Sequence, residues 1–343
     1  MEELQLAARN HGMPLEALRY EVTPVGLHYL LIHFDVPDVP ADWRLRVGGH
    51  VDRELSLSLD HLRERPLVRR IVTMECAGNG RARLDPHVVG HPWLAEAVGT
   101  GEWGGAELAS VLEEAGIRDG AVEVLFGALD RGIDGGVEQA YERSLTVAEA
   151  LAGGALLAYE LNGEPLPPQH GAPLRLVVPG WYGMTSVKWL EEISVIDRPF
   201  DGYQQAHAYR FRRSEEDEGE PITRMRPRAL MVPPGVPDFL TRRRYVDAGQ
   251  CAVEGRAWSG TAPVAGVDVS ADGGRTWTAA ALEAAPDRWA WARWTWSWKA
   301  EPGDHELACR ARDAGGKEQP LEPEWNVGGY VNNAVQRVPV TVR

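Results

Sequence analysis

The chain has 343 residues, 44% hydrophobic and 25% charged, the composition of a globular protein too long for a single core and so expected to form two domains. Lys+Arg 36 against Asp+Glu 50 leaves a net charge of −14, which argues against a nucleic-acid-binding face. The apolar runs at 155–158 and 174–178 fall far short of the about 20 residues of a membrane-spanning helix.

Three cysteines, Cys76, Cys251 and Cys309, cannot all pair, and the acidic start at 1–10 lacks the charged-then-apolar pattern of a secretory signal. These features predict no membrane partner and a cytoplasmic location, or a periplasmic one if an export signal has been trimmed.

In chain order, residues 67–74 are an apolar lead-in that delivers Cys76 to a loop of small residues. Residues 106–116 place Leu108, Val111, Leu112 and Ala115 at helical spacing and end on glycine. Residues 122–128 and 174–178 are short apolar runs beside Gly or Pro, which predicts buried strands. Residues 145–151 predict a short helix capped by Ser144, and Asn162-Gly163 a hairpin turn. No regular strand–helix alternation occurs, so the fold class is α+β.

Residues 201–237 combine a charge run at 212–220 with five prolines, which predicts a linker wrapped over the surface. From 238 onward the pattern is β: residues 264–269 alternate, Asp272-Gly273-Gly274 is a turn, and Trp277 follows in the next strand. Trp289, Trp291, Trp294, Trp296 and Trp298 alternate along one strand with a bulge between the two sets. About 100 residues of short strands predict an immunoglobulin-like β-sandwich at 238–343. Tryptophans this dense predict that some cover a second copy or the first domain. Cys251 and Cys309 fall either on facing strands or as separate reduced thiols.

The segment Thr73-Met-Glu-Cys-Ala-Gly-Asn-Gly-Arg-Ala-Arg83 sets a cysteine beside arginines, which favour its thiolate for nucleophilic attack or for a soft metal. A packed thiol, a zinc site with His87 and His91, and a Cys–His hydrolase are the other readings of the same residues. In the segment 157–190, His170, Arg175 and Lys188 bracket strand material and Gly-rich turns. Their cations could hold a phosphate, or sit solvated at strand ends.

Together these segments resemble the sulfite oxidase family of molybdenum enzymes from about residue 22 to the C-terminus. The resemblance is carried by Glu75-Cys-Ala-Gly-Asn79, Ala158-Tyr-Glu-Leu-Asn-Gly163, His170-Gly-Ala-Pro-Leu-Arg175, Val187-Lys-Trp189, Ala257-Trp-Ser-Gly260, the turn ending at Gly274, and Trp325-Asn326. It implies a mixed molybdopterin-binding domain (1–200), the linker, and a sandwich that dimerises. It further implies that Cys76 ligates molybdenum and that His33, Asp130, His170, Arg175 and Lys188 hold molybdopterin. Arg81 would face the oxyanion substrate, with Trp93 and Tyr209 in the pocket.

The implied reaction is oxygen-atom transfer that takes sulfite to sulfate, with electrons passing to an external acceptor such as a c-type cytochrome. Oxidation of sulfane sulfur, or reduction of a sulfoxide or N-oxide by the same cofactor, are the alternatives. Sulfite-oxidising members carry arginines where this chain has Leu31 and Gly328, so its anion pocket is expected to have lost positive groups.

Overall fold

The computed structural model describes residues 1–343. The helical spacing at 106–116 gives the helix Leu108–Ala115, with Leu108, Val111, Leu112 and Ala115 buried and Gly116 closing it at φ 71°. This helix and Val147–Leu151 pack between two sheets. One sheet runs Leu55–Leu57, Leu45–Gly49, Leu190–Ile196, Glu123–Asp134, Val137–Thr146. The other runs Val68–Glu75, Val98–Glu107, Leu156–Leu161, Glu164–Pro165, with Arg175–Val177 also paired to Leu156–Leu161.

The expected strands at 122–128 and 174–178 and the turn at Asn162 (φ 55°) are all present. The cap differs from expectation. Thr146, not Ser144, accepts from Glu149 N–H and completes a capping box with the Glu149 carboxylate. Ser144 still belongs to the preceding strand, and its hydroxyl donates to Glu123.

The C-terminal part is a two-sheet sandwich. Arg228–Met231, Gly249–Trp258, Ala292–Ala300 and Ala281–Leu282 form one sheet. Val236–Pro237, Arg244–Val246, Gln336–Val342, Gly303–Asp313, Val264–Ser270 and Thr278–Ala279 form the other. Both sheets contribute to one core that includes Met231, Val253, Trp294, Val267, Leu307 and Val340.

The linker expected at 201–237 is shorter than its composition suggested. It contains the fully buried strand Arg228–Met231, paired in register with Gly255–Trp258. Ile222 and Met225 are also buried. The charged stretch around 212–220 lies outside, folded back by a short pairing of Arg210–Phe211 with Glu220–Pro221, and residues 235–237 are exposed as well.

The tryptophans divide between the sandwich core and the first domain, the second of the two destinations expected for them. Trp294, Trp296 and Trp298 lie on one face of Ala292–Ala300 and pack on the sandwich core. Trp289 and Trp291 precede that strand. The Trp289 carbonyl accepts from Thr73 N–H (2.9 Å), and the Trp291 indole donates to the Glu21 carbonyl (2.8 Å). Cys251 and Cys309 lie on facing sheets as free thiols.

A further cluster joins the two parts, with Ala77, Tyr182, Tyr209, Met225, Leu230, Trp258, Trp291 and Val331 among its buried members. Burying an aromatic side chain of this kind is worth about 2–3 kcal/mol. The seam lies directly behind the Cys76 loop. No helix is long and apolar enough to cross a membrane.

Candidate active site

The strand Val68–Glu75 turns from half-exposed to wholly buried along its length and hands Cys76 to a tight loop. Cys76 N–H donates to the Ala97 carbonyl (2.9 Å), and Asn79 and Arg81 close successive turns. Gly80 takes φ 94°, and a Cβ there would meet Asn332 at 2.9 Å, so the loop needs glycine at that point. Burial pushes the Cys76 thiol pKa up, opposed by the Gly78 N–H, the Arg81 charge and Trp93.

Two cavities meet at this cysteine. Leu31, His33, Cys76 and Tyr209 line both. The first holds about 620 Å³ of empty space and brings together His33, Cys76, Asp130, His170, Arg175, Lys188 and Tyr209. Arg175 and Lys188 spend their donors on backbone carbonyls instead of carboxylates. Arg175 donates to His170 and Ser186 (3.0 Å each), and Lys188 to Leu31 (2.7 Å). Arg175 also lies 4.6 Å from the centroid of the Trp103 ring.

Burial drives the Lys188 pKa down to about 7 and the Asp130 carboxyl up to about 6. The His33 and His28 rings fall to about 4 and the His170 ring falls as well, all chiefly through desolvation. His28 Nδ1 meets the Tyr29 carbonyl at 3.1 Å, which leaves its buried Nε2 without a partner. Two cations that form no salt bridge, with Asp130 the one carboxylate in the cavity, together with neutral imidazoles and an unsatisfied ring nitrogen, suit a large anionic ligand rich in ring donors. A pterin carrying a phosphate fits that description, and the Cys76 thiolate suits a soft metal.

The second cavity, about 920 Å³ and open to solvent, is lined by Arg81, His91, Trp93 and Tyr330 beside the shared residues. Arg81 is 8% exposed and ties no carboxylate. Its Nε donates to Gly328 (3.0 Å), its Nη1 to the His91 carbonyl (3.3 Å), and it stacks 4.9 Å over Tyr330. Tyr209 and His33 share a hydrogen bond of 2.7 Å. A π-helical turn, Gln204–Ala208, ends at Tyr209 and aims it inward.

Every site residue expected from sequence therefore lines one cavity or the other. The zinc reading fails: His87 is exposed and paired with Glu3, and no group of three His, Cys, Asp or Glu side chains could hold a metal. Sequence reasoning passed over His28, Tyr141, Ser186 and Tyr330. Only the His28/His33 spacing, two histidines in an apolar stretch, offered a signal.

Comparison with known proteins places this geometry. Residues 33–204 match the model of the oxidoreductase molybdopterin binding domain, and 222–343 that of the Mo-co oxidoreductase dimerisation domain. The chain is 39% identical to sulfite oxidase of Gallus gallus over 92% of its own length and 72% of the relative's. It is 37% identical to mitochondrial sulfite oxidase of Homo sapiens, of which it spans 62%. A nitrate reductase of Brassica napus is 32% identical, with 97% of this chain and 40% of that one covered. Among solved structures, the sulfane dehydrogenase SoxCD of Paracoccus pantotrophus superposes with a TM-score of 0.82 at 25% identity, over 97% of this chain and 86% of that one.

Proposed function

Because the chain belongs to the sulfite oxidase family of molybdopterin-dependent oxidoreductases, we propose that it oxidises sulfite to sulfate and passes two electrons to an external acceptor. The observation that carries this reading is Arg81: a buried guanidinium with no carboxylate, facing the same cavity as Cys76. Held by carbonyls and the Tyr330 ring but by no carboxylate, this cation keeps its charge available to an anion that enters the cavity.

The molybdenum cofactor, when bound, supplies the oxygen-atom transfer. The protein's part is positioning. Cys76 would ligate the metal, Arg175 and Lys188 would hold the pterin phosphate, and His33, Asp130 and His170 would hydrogen-bond the pterin. Trp93 closes the wall beside the thiol. The Tyr209–His33 pair is neutral at pH 7, since burial holds the phenol protonated and the imidazole unprotonated. It can therefore orient an oxygen without adding charge.

A second reading, oxidation of sulfane sulfur, is favoured by one observation: Leu31 and Gly328 leave Arg81 as the sole cation of the pocket beside Cys76. The likeness to SoxCD agrees with it. A steady-state assay with sulfite and ferricyanide tests the first reading. Ferricyanide reduction at saturable rates is expected, and none from protein loaded with molybdenum would refute it.

For the acceptor we propose a c-type cytochrome. For the assembly we propose a homodimer, on the strength of the dimerisation-domain match. Sedimentation at a mass near 37.8 kDa instead of about twice that would refute the dimer.

A further inference from the structure

Among the polar side chains of the pocket that contains Arg81, the reading above leaves idle Asn10, Asp134, Gln204 and His91, and of these His91 lies against Arg81 itself. His91 is 7% exposed, and its Nδ1 is buried with no hydrogen-bond partner. A buried polar atom left open in this way is costly unless a ligand completes it. The ring is not free to turn away. It stands edge-on to Trp93 with centroids 3.8 Å apart, and its carbonyl accepts from both Arg81 Nη1 and Trp93 N–H.

The preceding residue, Gly90, brings this segment so close to Arg81 that a Cβ would lie 2.9 Å from the guanidinium. Burial and the Arg81 charge keep the imidazole unprotonated, with its pKa lowered to about 4. The pocket therefore sets one cation, Arg81, beside a neutral imidazole, in a wall that also carries the Asp134 carboxylate, which accepts from Gln204 (2.9 Å) and adds to the cost of a doubly charged ligand. A second cation from position 328 is blocked, because a Cβ on Gly328 would meet the Tyr330 ring at 2.4 Å.

We propose that His91 is a specificity-determining residue whose imidazole, lining the cavity, contacts the substrate beside Arg81, so that the pocket selects singly charged sulfur anions of the form X–SO2−, where X is hydroxyl or a small alkyl group. The inference deepens the proposed oxidation of sulfite and rests on it. Hydrogensulfite is then the form bound, and alkanesulfinates become a second substrate class. Apolar Leu31 and Ile32 line the cavity that takes the alkyl group. The balance is RSO2− + H2O → RSO3− + 2 e− + 2 H+. A sulfur–oxygen bond forms, the oxygen derives from water, and the electrons go to the external acceptor.

The test uses molybdenum-loaded holoenzyme as wild type, His91→Leu, His91→Gln and His91→Arg, with sulfite and methanesulfinate as substrates and ferricyanide as acceptor. Calorimetric binding of methanesulfonate, the product anion, is the readout that does not depend on turnover. The expected result is that His91→Leu raises KM for both substrates and Kd for methanesulfonate about ten- to hundred-fold, with kcat within about threefold. His91→Gln, which keeps a polar atom, restores most of the loss, and His91→Arg shifts preference from methanesulfinate to sulfite.

Wild-type affinity for methanesulfonate in His91→Leu overturns the proposal. Should His91→Leu fail to fold, an unshifted preference in His91→Arg, read from relative Kd of methanesulfonate and sulfate, overturns it instead. Wild-type enzyme that binds methanesulfonate through His91 but oxidises neither substrate would refute the proposed reaction and leave the recognition by His91 standing.

Discussion

Arg228, on the first strand of the sandwich, donates to the carboxylate of Glu75, the residue immediately before Cys76, at 2.5 Å. Both side chains are buried, at 5% and 1% exposure. The other Glu75 oxygen accepts from the Trp258 indole at 2.9 Å, and Arg228 also reaches the Asn332 carbonyl. One carboxylate thus ties the cysteine loop to the second domain. Removing a single partner from such a pair costs about 3–5 kcal/mol, because a buried charge is left alone. Arg228→Ala is expected to lower stability by about that amount in urea unfolding. The double variant Arg228→Met with Glu75→Leu should recover much of it, and no recovery would mean that the residues do not act as a pair.

Cys76→Ser should abolish turnover while the fold and pterin content persist, since the metal loses its only protein thiolate. Metal analysis, pterin fluorescence and the ferricyanide assay separate these effects. Full activity in a loaded Cys76→Ala enzyme would remove the cysteine from the mechanism.

Arg175→Ala and Lys188→Ala should lower cofactor occupancy, because each deletes a buried cation whose donors go to backbone carbonyls and which forms no salt bridge. Molybdenum per chain is the measurement. Normal loading in both variants, with activity lost, would assign these side chains to a different task.

Leu31→Arg adds a second cation at the junction of the two cavities. The Leu31 carbonyl is already held by Lys188, so the backbone keeps its place. A charge-assisted hydrogen bond worth about 1.5–3 kcal/mol predicts a KM for sulfite at least about tenfold lower, with a steeper dependence on salt. An unchanged KM would place Leu31 outside substrate contact.

His28 should make stability depend on pH in a defined direction. Its pKa is about 4 in the folded chain, held down by burial, against about 6.5 unfolded. Between those values the unfolded chain binds more protons, so stability is full above pH 6.5 and falls as pH drops toward 4, by about 3 kcal/mol in total. Unfolding of cofactor-free protein across this range should show the loss, to which His33, His91 and His170 add in the same direction, and His28→Gln should make the slope shallower. Equal slopes would point to other groups.

How far the sequence carried depended on whether a feature was local. The helix Leu108–Ala115 was legible because one turn repeats the next, and the Cys76 loop because a strained, small-residue turn leaves a mark in composition. Thr146-x-x-Glu149 is an equally local capping signature that was passed over in favour of Ser144. The strand Arg228–Met231 was hidden by averaging, since prolines and charges on both sides mask four residues that only their partner strand explains. The tryptophan-rich stretch was legible as dense, but not which of its members enter the sandwich core and which meet the first domain, because sequence gives density and not depth. His91 could be noticed in sequence only as a metal ligand; its open Nδ1 exists only once Trp93 and Arg81 are in place.

Only four side chains, Leu31, His33, Cys76 and Tyr209, form the partition between the two cavities. The compartment that suits the pterin and the compartment proposed for the reductant consequently have almost separate walls. Drift in the outer wall leaves the inner one untouched. Descendants of such a chain can change diet without relearning how to load their metal, and an engineer can redraw the entrance while holding assembly of the centre constant.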